Sequence, residues 1–161
     1  MLRPATPADA AALAAIYNHY ITDTVVTFEE DPLPPEEMAR RLAATTAEGF
    51  PWLVWEEDGR VRGYAYADRW KTRRSYRHSA EATVYLDSAA TGRGIGPQLY
   101  AAVIAALKAM GMHAVMGGVA LPNPASVTLH EKLGFVPVAH FKETGFKFGQ
   151  WIDVGYWELI L

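Results

Sequence analysis

The stretch Ala80-Glu81-Ala82-Thr83-Val84-Tyr85-Leu86, followed by Thr91-Gly92-Arg93-Gly94-Ile95-Gly96-Pro97, decides the fold. Its first part alternates as a strand does, with Glu81, Thr83 and Tyr85 on one face and Ala82, Val84 and Leu86 on the other. Its second part sets three glycines at alternate positions, which leaves main-chain N–H groups bare of side chains. Pro97 is placed to open a helix, and the amphipathic run to Met110, closed by Gly111, continues it. Bare N–H groups in front of a helix N-terminus form an anion site suited to a phosphorylated ligand. Glu81 stands one strand-length upstream, where the reactive end of such a ligand would lie.

Reading outward, Leu2-Arg3 is a short first strand. Thr6-Pro7-Ala8-Asp9 starts a helix, with Thr as the cap, Pro in the first turn and an acid three residues on. Leu13, Ile16, Tyr17 and Tyr20 share one face of it. Thr24 to Pro35 reads as a loop, and Pro34-Pro35-Glu36-Glu37 opens a second helix to about Ala47. Trp52 to Trp55 and Val61 to Tyr66 are strands joined at Asp58-Gly59. Arg69 to His78 is basic and irregular. A strand over His113 to Val119 precedes a helix from Asn123-Pro124 to Leu133-Gly134. Phe135 to Phe141 and Trp151 to Leu161 are the last strands, joined by a loop containing Gly145 and Gly149. The order βααβββαβαββ mixes hairpins with crossovers, so the expected fold is a mixed sheet flanked by helices, an α/β (α+β layered) architecture.

The chain has 161 residues, enough for one domain over 1–161 with a substantial core. Half of it is apolar, with five Trp and eight Tyr, which is a globular composition. A net charge of −3 gives no reason to expect nucleic acid as a partner. The absence of Cys removes thiolate nucleophiles, disulfides and Cys-based metal sites, and the five His lack ligand spacing, so no metal is expected. The longest apolar run, Leu99 to Leu107, is too short to span a bilayer. A cytoplasmic protein without membrane association is the expectation.

The glycine turn is neither of two other phosphate loops. A dinucleotide fingerprint needs a parallel βαβ unit near the N-terminus and an acid about 20 residues on, and a Walker loop needs Gly-Lys-Ser/Thr. Glu81 is a candidate base, because a neighbour as hydrophobic as Tyr85 is unusual on a solvated face. Asn123 reads as a helix cap, and Ser126 is exposed in the first turn behind it. His130 shares a helical face with Ser126, Leu129 and Leu133, the setting of a buried core histidine. Lys71 and Arg73 are either a solvated basic loop or two cations converging on an anion.

The strand–turn–helix unit, with Asn123-Pro124 and Leu133-Gly134-Phe135, resembles the GNAT superfamily of acetyl-CoA-dependent N-acetyltransferases over essentially the whole chain. Tyr17-Asn18-His19-Tyr20-Ile21, Trp70-Lys71-Thr72-Arg73, Ala80 to Tyr85, Leu121 to Ser126, Leu129-His130-Glu131 and Trp151 to Trp157 are similar to phosphinothricin and methionine-sulfoximine acetyltransferases. The superfamily turn usually begins with Gln or Arg where this chain has Thr91; Gly94 and Gly96 match, and Arg93 is a substitute cation. Many members carry Tyr where this chain has His130, but the narrower group also has His.

The resemblance implies a mostly antiparallel GNAT sheet splayed near strands 4 and 5, with acetyl-CoA as cosubstrate. It implies Glu81 as general base and His130 as proton donor or substrate contact. The oxyanion donor is expected among the N–H groups of Val84, Tyr85 and Leu86, and the diphosphate on Gly92, Arg93, Gly94, Ile95, Gly96 and Pro97. Asn123 and Ser126 are expected to contact pantetheine. Lys71, Arg73, Tyr76, Phe28 and Glu29 are expected around an amino-acid-like acceptor. The resemblance further implies a homodimer, with Trp151 to Trp157 as a contact or as core. Two other readings remain: a GNAT enzyme for another amine such as a protein N-terminus, and a non-catalytic acyl-CoA-binding module.

Overall fold

The computed structural model describes residues 1–161. In chain order its elements are β1 (Leu2–Pro4), α1 (Ala10–Asp23), α2 (Pro35–Ala47), β2 (Trp52–Glu57), β3 (Arg60–Arg69), β4 (Ser79–Leu86), α3 (Ile95–Ala109), β5 (Ala114–Leu121), α4 (Pro124–Lys132), β6 (Val136–Lys147) and β7 (Gln150–Ile160). Seven strands form one sheet in the order β1-β2-β3-β4-β5-β7-β6. Every neighbouring pair is antiparallel except β4 and β5. Those two are parallel because α3 crosses between them.

The alternation of β4 divides two cores. Ala80 and Ala82 face one core with Leu99, Tyr100, Val103 and Leu107 of α3. Tyr85 points to the opposite side and packs against Tyr17 and Tyr20 of α1 and Tyr64 of β3, with ring centroids 5.0, 5.0 and 5.6 Å away. The second core, built on α1 and α2, holds Leu13, Ile16, Tyr17, Ile21, Met38 and Leu42 against Trp52, Val54 and Tyr64. No helix is long and apolar enough to cross a membrane.

Several boundaries differ from expectation. A 3-10 turn over Pro7–Asp9 precedes α1, and Asp9 accepts the Thr6 N–H at 2.7 Å there. Arg3 donates to Asp9 and holds its carboxyl down to about 2. Helix α3 begins at Ile95, not Pro97, because Gly94 adopts the left-handed conformation (φ 76°) and serves as its cap. Pro97 then lies in the first turn, where an N–H would have no helical partner. Gly145 belongs to β6 and pairs with Ile152; the turn is confined to Phe148-Gly149. Within the segment Trp151 to Trp157, Ile152 and Trp157 are buried in the core, whereas Trp151 is exposed.

Candidate active site

Strands β4 and β5 pair only over Ser79–Glu81 and Ala114–Met116. Beyond Glu81 and Met116 they part, and the main chain of both lines a gap. On the β4 edge the Tyr100 hydroxyl donates to the Ala82 carbonyl at 3.0 Å. The Tyr20 hydroxyl donates to the Leu86 carbonyl at 2.8 Å and accepts the Leu86 N–H at 3.3 Å. Ala82 and Leu86 therefore direct their polar groups away from β3, and the two-residue repeat of a strand turns Val84 the same way. Tyr85 lies in register with Tyr64 of β3. Of the three expected donors, Val84 presents its N–H to the gap, while that of Leu86 is already engaged.

Two glycines outside the turn ahead of α3 mark the spot. Gly117 and Gly118 sit in β5 just past the parting, and their absent side chains would point to opposite faces. A Cβ on Gly117 would stand 2.1 Å from His130 Nε2 and 3.2 Å from the Tyr100 hydroxyl. One on Gly118 would stand 3.1 Å from Glu81 Oε1 and 3.1 Å from the Tyr156 ring. Glu81 and His130 thus approach the gap from opposite sides of the sheet. A Gly-Gly pair inside an apolar strand is the sequence feature that would have located this close approach.

Burial is the main influence that raises the Glu81 carboxyl to about 7; Asp68, opposite it on β3, adds to the rise, and Lys71 opposes it. His130 is buried at 4 % exposure, and burial pulls its pKa below the ordinary value against the effect of the Ser126 carbonyl. Its Nδ1–H donates to that carbonyl at 2.7 Å, and its Nε2 lies 3.0 Å from the Tyr100 hydroxyl. With the ring proton on Nδ1, Nε2 offers a lone pair. A proton added there completes an unbroken hydrogen-bonded chain from Ser126 through His130 and Tyr100 to Ala82.

The Asn123 side chain accepts the Ser126 N–H at 3.1 Å, which caps α4 and leaves its amide N–H₂ without a protein acceptor. A small cavity of about 60 Å³ between the parted strands is lined by Thr83, Val84, Tyr85, Gly118, Ser126 and His130, among others. At the far end Gly92 (φ 73°) and Gly94 (φ 76°) shape the turn ahead of α3. No carbonyl within the helix accepts the N–H groups of Ile95 and Gly96. A parted strand edge with free main-chain groups, leading to a bare helix N-terminus, fits an extended pantetheine arm ending in a diphosphate. Arg93 instead donates to Glu57 at 2.8 Å, so as a phosphate cation it has a competitor.

A cleft of about 650 Å³ is lined by Phe28, Trp70, Lys71, Phe141, Tyr156 and Met116, the β5 partner of Glu81, among others, and Glu81 itself is not part of that lining. Lys71 lies 4.6 Å from the Trp70 ring centroid. The expected acceptor residues divide here. Phe28 and Lys71 line the cleft. Arg73 and Tyr76 belong to the exposed turn beyond it, and Glu29 is turned to Arg41 at 2.7 Å. Trp70, Met116, Phe141 and Tyr156 are additions the sequence did not suggest, because they come from four separate strands and loops. No cluster of three or more His, Asp or Glu side chains is arranged to hold a metal ion.

The family model described as "Acetyltransferase (GNAT) domain" matches residues 2–155. This chain belongs to the GNAT acetyltransferases. It is 40 % identical to a phosphinothricin N-acetyltransferase of Streptomyces viridochromogenes, over 98 % of this chain and 85 % of the relative. Among solved structures, a GNAT phosphinothricin acetyltransferase from Sinorhizobium meliloti in complex with acetyl-CoA superposes with a TM-score of 0.97 at 36 % identity, covering 100 % of this chain and 88 % of that one. A ribosomal-protein-alanine N-acetyltransferase from Brucella melitensis gives 0.98 at 37 % identity, covering 100 % and 99 %. The GNAT chain described here is accordingly an N-acetyltransferase that draws on acetyl-CoA.

Proposed function

We propose that this GNAT enzyme acetylates the α-amine of a small amino-acid-like anion, with phosphinothricin, methionine sulfoximine and methionine sulfone as favoured acceptors. The observation that carries the reading is the parting of β4 and β5, with Glu81 entering from one face and His130 from the other. An α-ammonium has an ordinary pKa of about 8, so a carboxylate poised at about 7 is matched to take its proton. The Val84 N–H is the donor for oxyanion charge in the gap. His130 Nε2, which offers a lone pair beside the Tyr100 hydroxyl, is the group that takes up a proton and relays it to the departing sulfur. Main-chain groups of Gly92, Arg93, Gly94, Ile95 and Gly96 bind the diphosphate ahead of Pro97, and Asn123 and Ser126 contact the pantetheine arm. Lys71 binds the acceptor's anionic group. Acetyl-CoA supplies the activated acyl group, and with no Cys in the chain the amine attacks it directly.

A protein N-terminus is the second reading, favoured by the Brucella melitensis neighbour. Such an acceptor has no free carboxylate beside its amine, so Lys71 separates the two. A panel of phosphinothricin, methionine sulfoximine, methionine sulfone and alanine-terminated peptides is assayed for release of the CoA thiol. The expected result is turnover of the amino-acid analogues, with Lys71→Ala raising their KM by about tenfold, as loss of a charge-assisted contact does. Preferential turnover of the peptides, unaffected by Lys71→Ala, overturns the proposal.

A homodimer is the accompanying proposal. Phe146, Phe148 and Trp151 leave an apolar surface on the β6–β7 hairpin, the kind that marks association. Light scattering is expected to give twice the 17.8 kDa chain mass, falling to one for Trp151→Asp.

A further inference from the structure

Lys147 is 1 % exposed, in a position where charged side chains are rarely found unless something demands them. Its ammonium donates to the Thr27 carbonyl at 2.8 Å and lies 5.0 Å from the Phe148 ring centroid. Thr27 is also held by its side chain, which hydrogen-bonds the buried Tyr17 hydroxyl at 2.7 Å. Residue 27 is thus gripped through main chain and side chain by two distant elements, β6 and α1. The next residue, Phe28, is a wall of the acceptor cleft.

Two residues before Lys147, on the same face of β6, Gly145 meets the Phe28 ring. A Cβ at 145 would lie 2.3, 2.6 and 2.8 Å from the three atoms at the ring's far edge. The bare backbone is the slot in which that ring rests. A register slip in β6 between Phe141 and Gly145 separates the cleft-lining Phe141 from this pair. On the other side of Phe28, Glu29 is tied to Arg41 at 2.7 Å, and Leu33 exchanges two bonds with Asn18 at 2.8 and 2.9 Å.

We propose that Lys147 and Gly145 are positioning residues for the acceptor: the ammonium fixes the Thr27 main chain, the missing side chain seats the Phe28 ring, and together they set the wall against which the acceptor's side chain lies. A methionine at 147 would fill similar space without the cost of burying an ammonium. The retained charge is explained by the carbonyl it holds, with the Glu30 carboxylate as a second, electrostatic partner. The inference rests on the acceptor reading above in assigning the cleft to the amine substrate, whereas the clamp on the loop is a matter of structure alone.

The test uses the full chain with Lys147→Met, Gly145→Ala and Phe28→Ala singly, and each of the first two combined with Phe28→Ala. Lys147→Met is expected to raise the acceptor KM about tenfold, the effect of losing one hydrogen bond to a charged group, with a smaller fall in kcat and an unchanged KM for acetyl-CoA. Gly145→Ala is expected to fold, since only a ring edge must move, and to raise the same KM. Because both act through Phe28, each adds less than about twofold in the Phe28→Ala background. Hydrogen exchange of the amides at 24–33 is expected to quicken in Lys147→Met while β2 to β4 keep their protection. Additive effects on KM, or an equal loss of acetyl-CoA affinity, overturn the positioning role. Unchanged exchange in the loop overturns the clamp. If the parent enzyme acetylates no amine on the panel, the acceptor reading falls with the positioning role, and exchange alone decides the clamp.

Discussion

Glu81 carries a conflict between stability and chemistry. Its carboxyl titrates near 7 in the folded chain and near 4.5 in the unfolded one, with burial as the leading cause. Between those values the folded state holds a proton that the unfolded chain has released. Stability contributed by this group is therefore full below 4.5, declines as pH rises through the window, and is absent above about 7. Glu81→Gln removes the penalty, so the variant is expected to be more stable than the parent at pH 8, by roughly 1–3 kcal/mol. The advantage should vanish near pH 4.5 in urea titrations. The same substitution removes the proposed base. The parent's kcat/KM should climb with pH to a plateau above about 7, and Glu81→Gln should lose that limb along with about 10²–10⁴ of the rate. A variant that is no more stable at pH 8, or that retains the limb, would assign the titration to another group.

At the scale of the element, β5 performs its task by lacking side chains. Gly117 and Gly118 let His130 and Glu81 reach the gap from either face, and the contact at 117 is the tighter. Gly117→Ala drives a methyl into the imidazole, which is held on its far side by Ser126. The expected cost is roughly 1–3 kcal/mol of overpacking, together with a larger fall in kcat than in acetyl-CoA affinity, as measured by denaturant unfolding and steady-state kinetics. An unperturbed kcat would show that His130 has freedom to retreat and no fixed catalytic position. Much of the surrounding framework was legible because local chemistry determined it. The Asp58-Gly59 turn, with φ 50° and 71°, the Asn123 cap and the glycine turn before α3 all depend on residues close together in sequence. Gly145 signals a turn by its local chemistry; only Phe28, more than a hundred residues away, explains it as a seat within a strand. Lys71 and Arg73 are two residues apart, the spacing of convergent cations, but only Lys71 lines the cleft, and Arg73 is the exposed cap of the turn over Arg74–Tyr76. The buried state of Lys147 leaves no local trace, and the parting of β4 from β5 leaves only the Gly117-Gly118 pair.

For the whole molecule, the parting means that the sheet is continuous only through three residue pairs between β4 and β5. The core against α3 spans that line, with Ala82 of β4 and Val115 and Val119 of β5 in one cluster, so the two sides still unfold together. A ligand that occupies the gap and bonds both edges supplies contacts the chain lacks, and it binds only the folded state. At a hundred times its Kd such a ligand adds about 2.7 kcal/mol. For a chain of this size that corresponds to a rise in Tm of roughly 5–10 °C. Acetyl-CoA is expected to produce it in a thermal scan. A nucleotide diphosphate without the pantetheine arm can reach only the N–H groups ahead of α3, and its shift at the same multiple of the acetyl-CoA Kd should be clearly smaller. Equal shifts from the two ligands would mean that all the binding energy resides at the glycine turn and none between the strands. The gap would then have no part in binding the cosubstrate, and the placement of Glu81 and His130 on either side of it would lose its meaning.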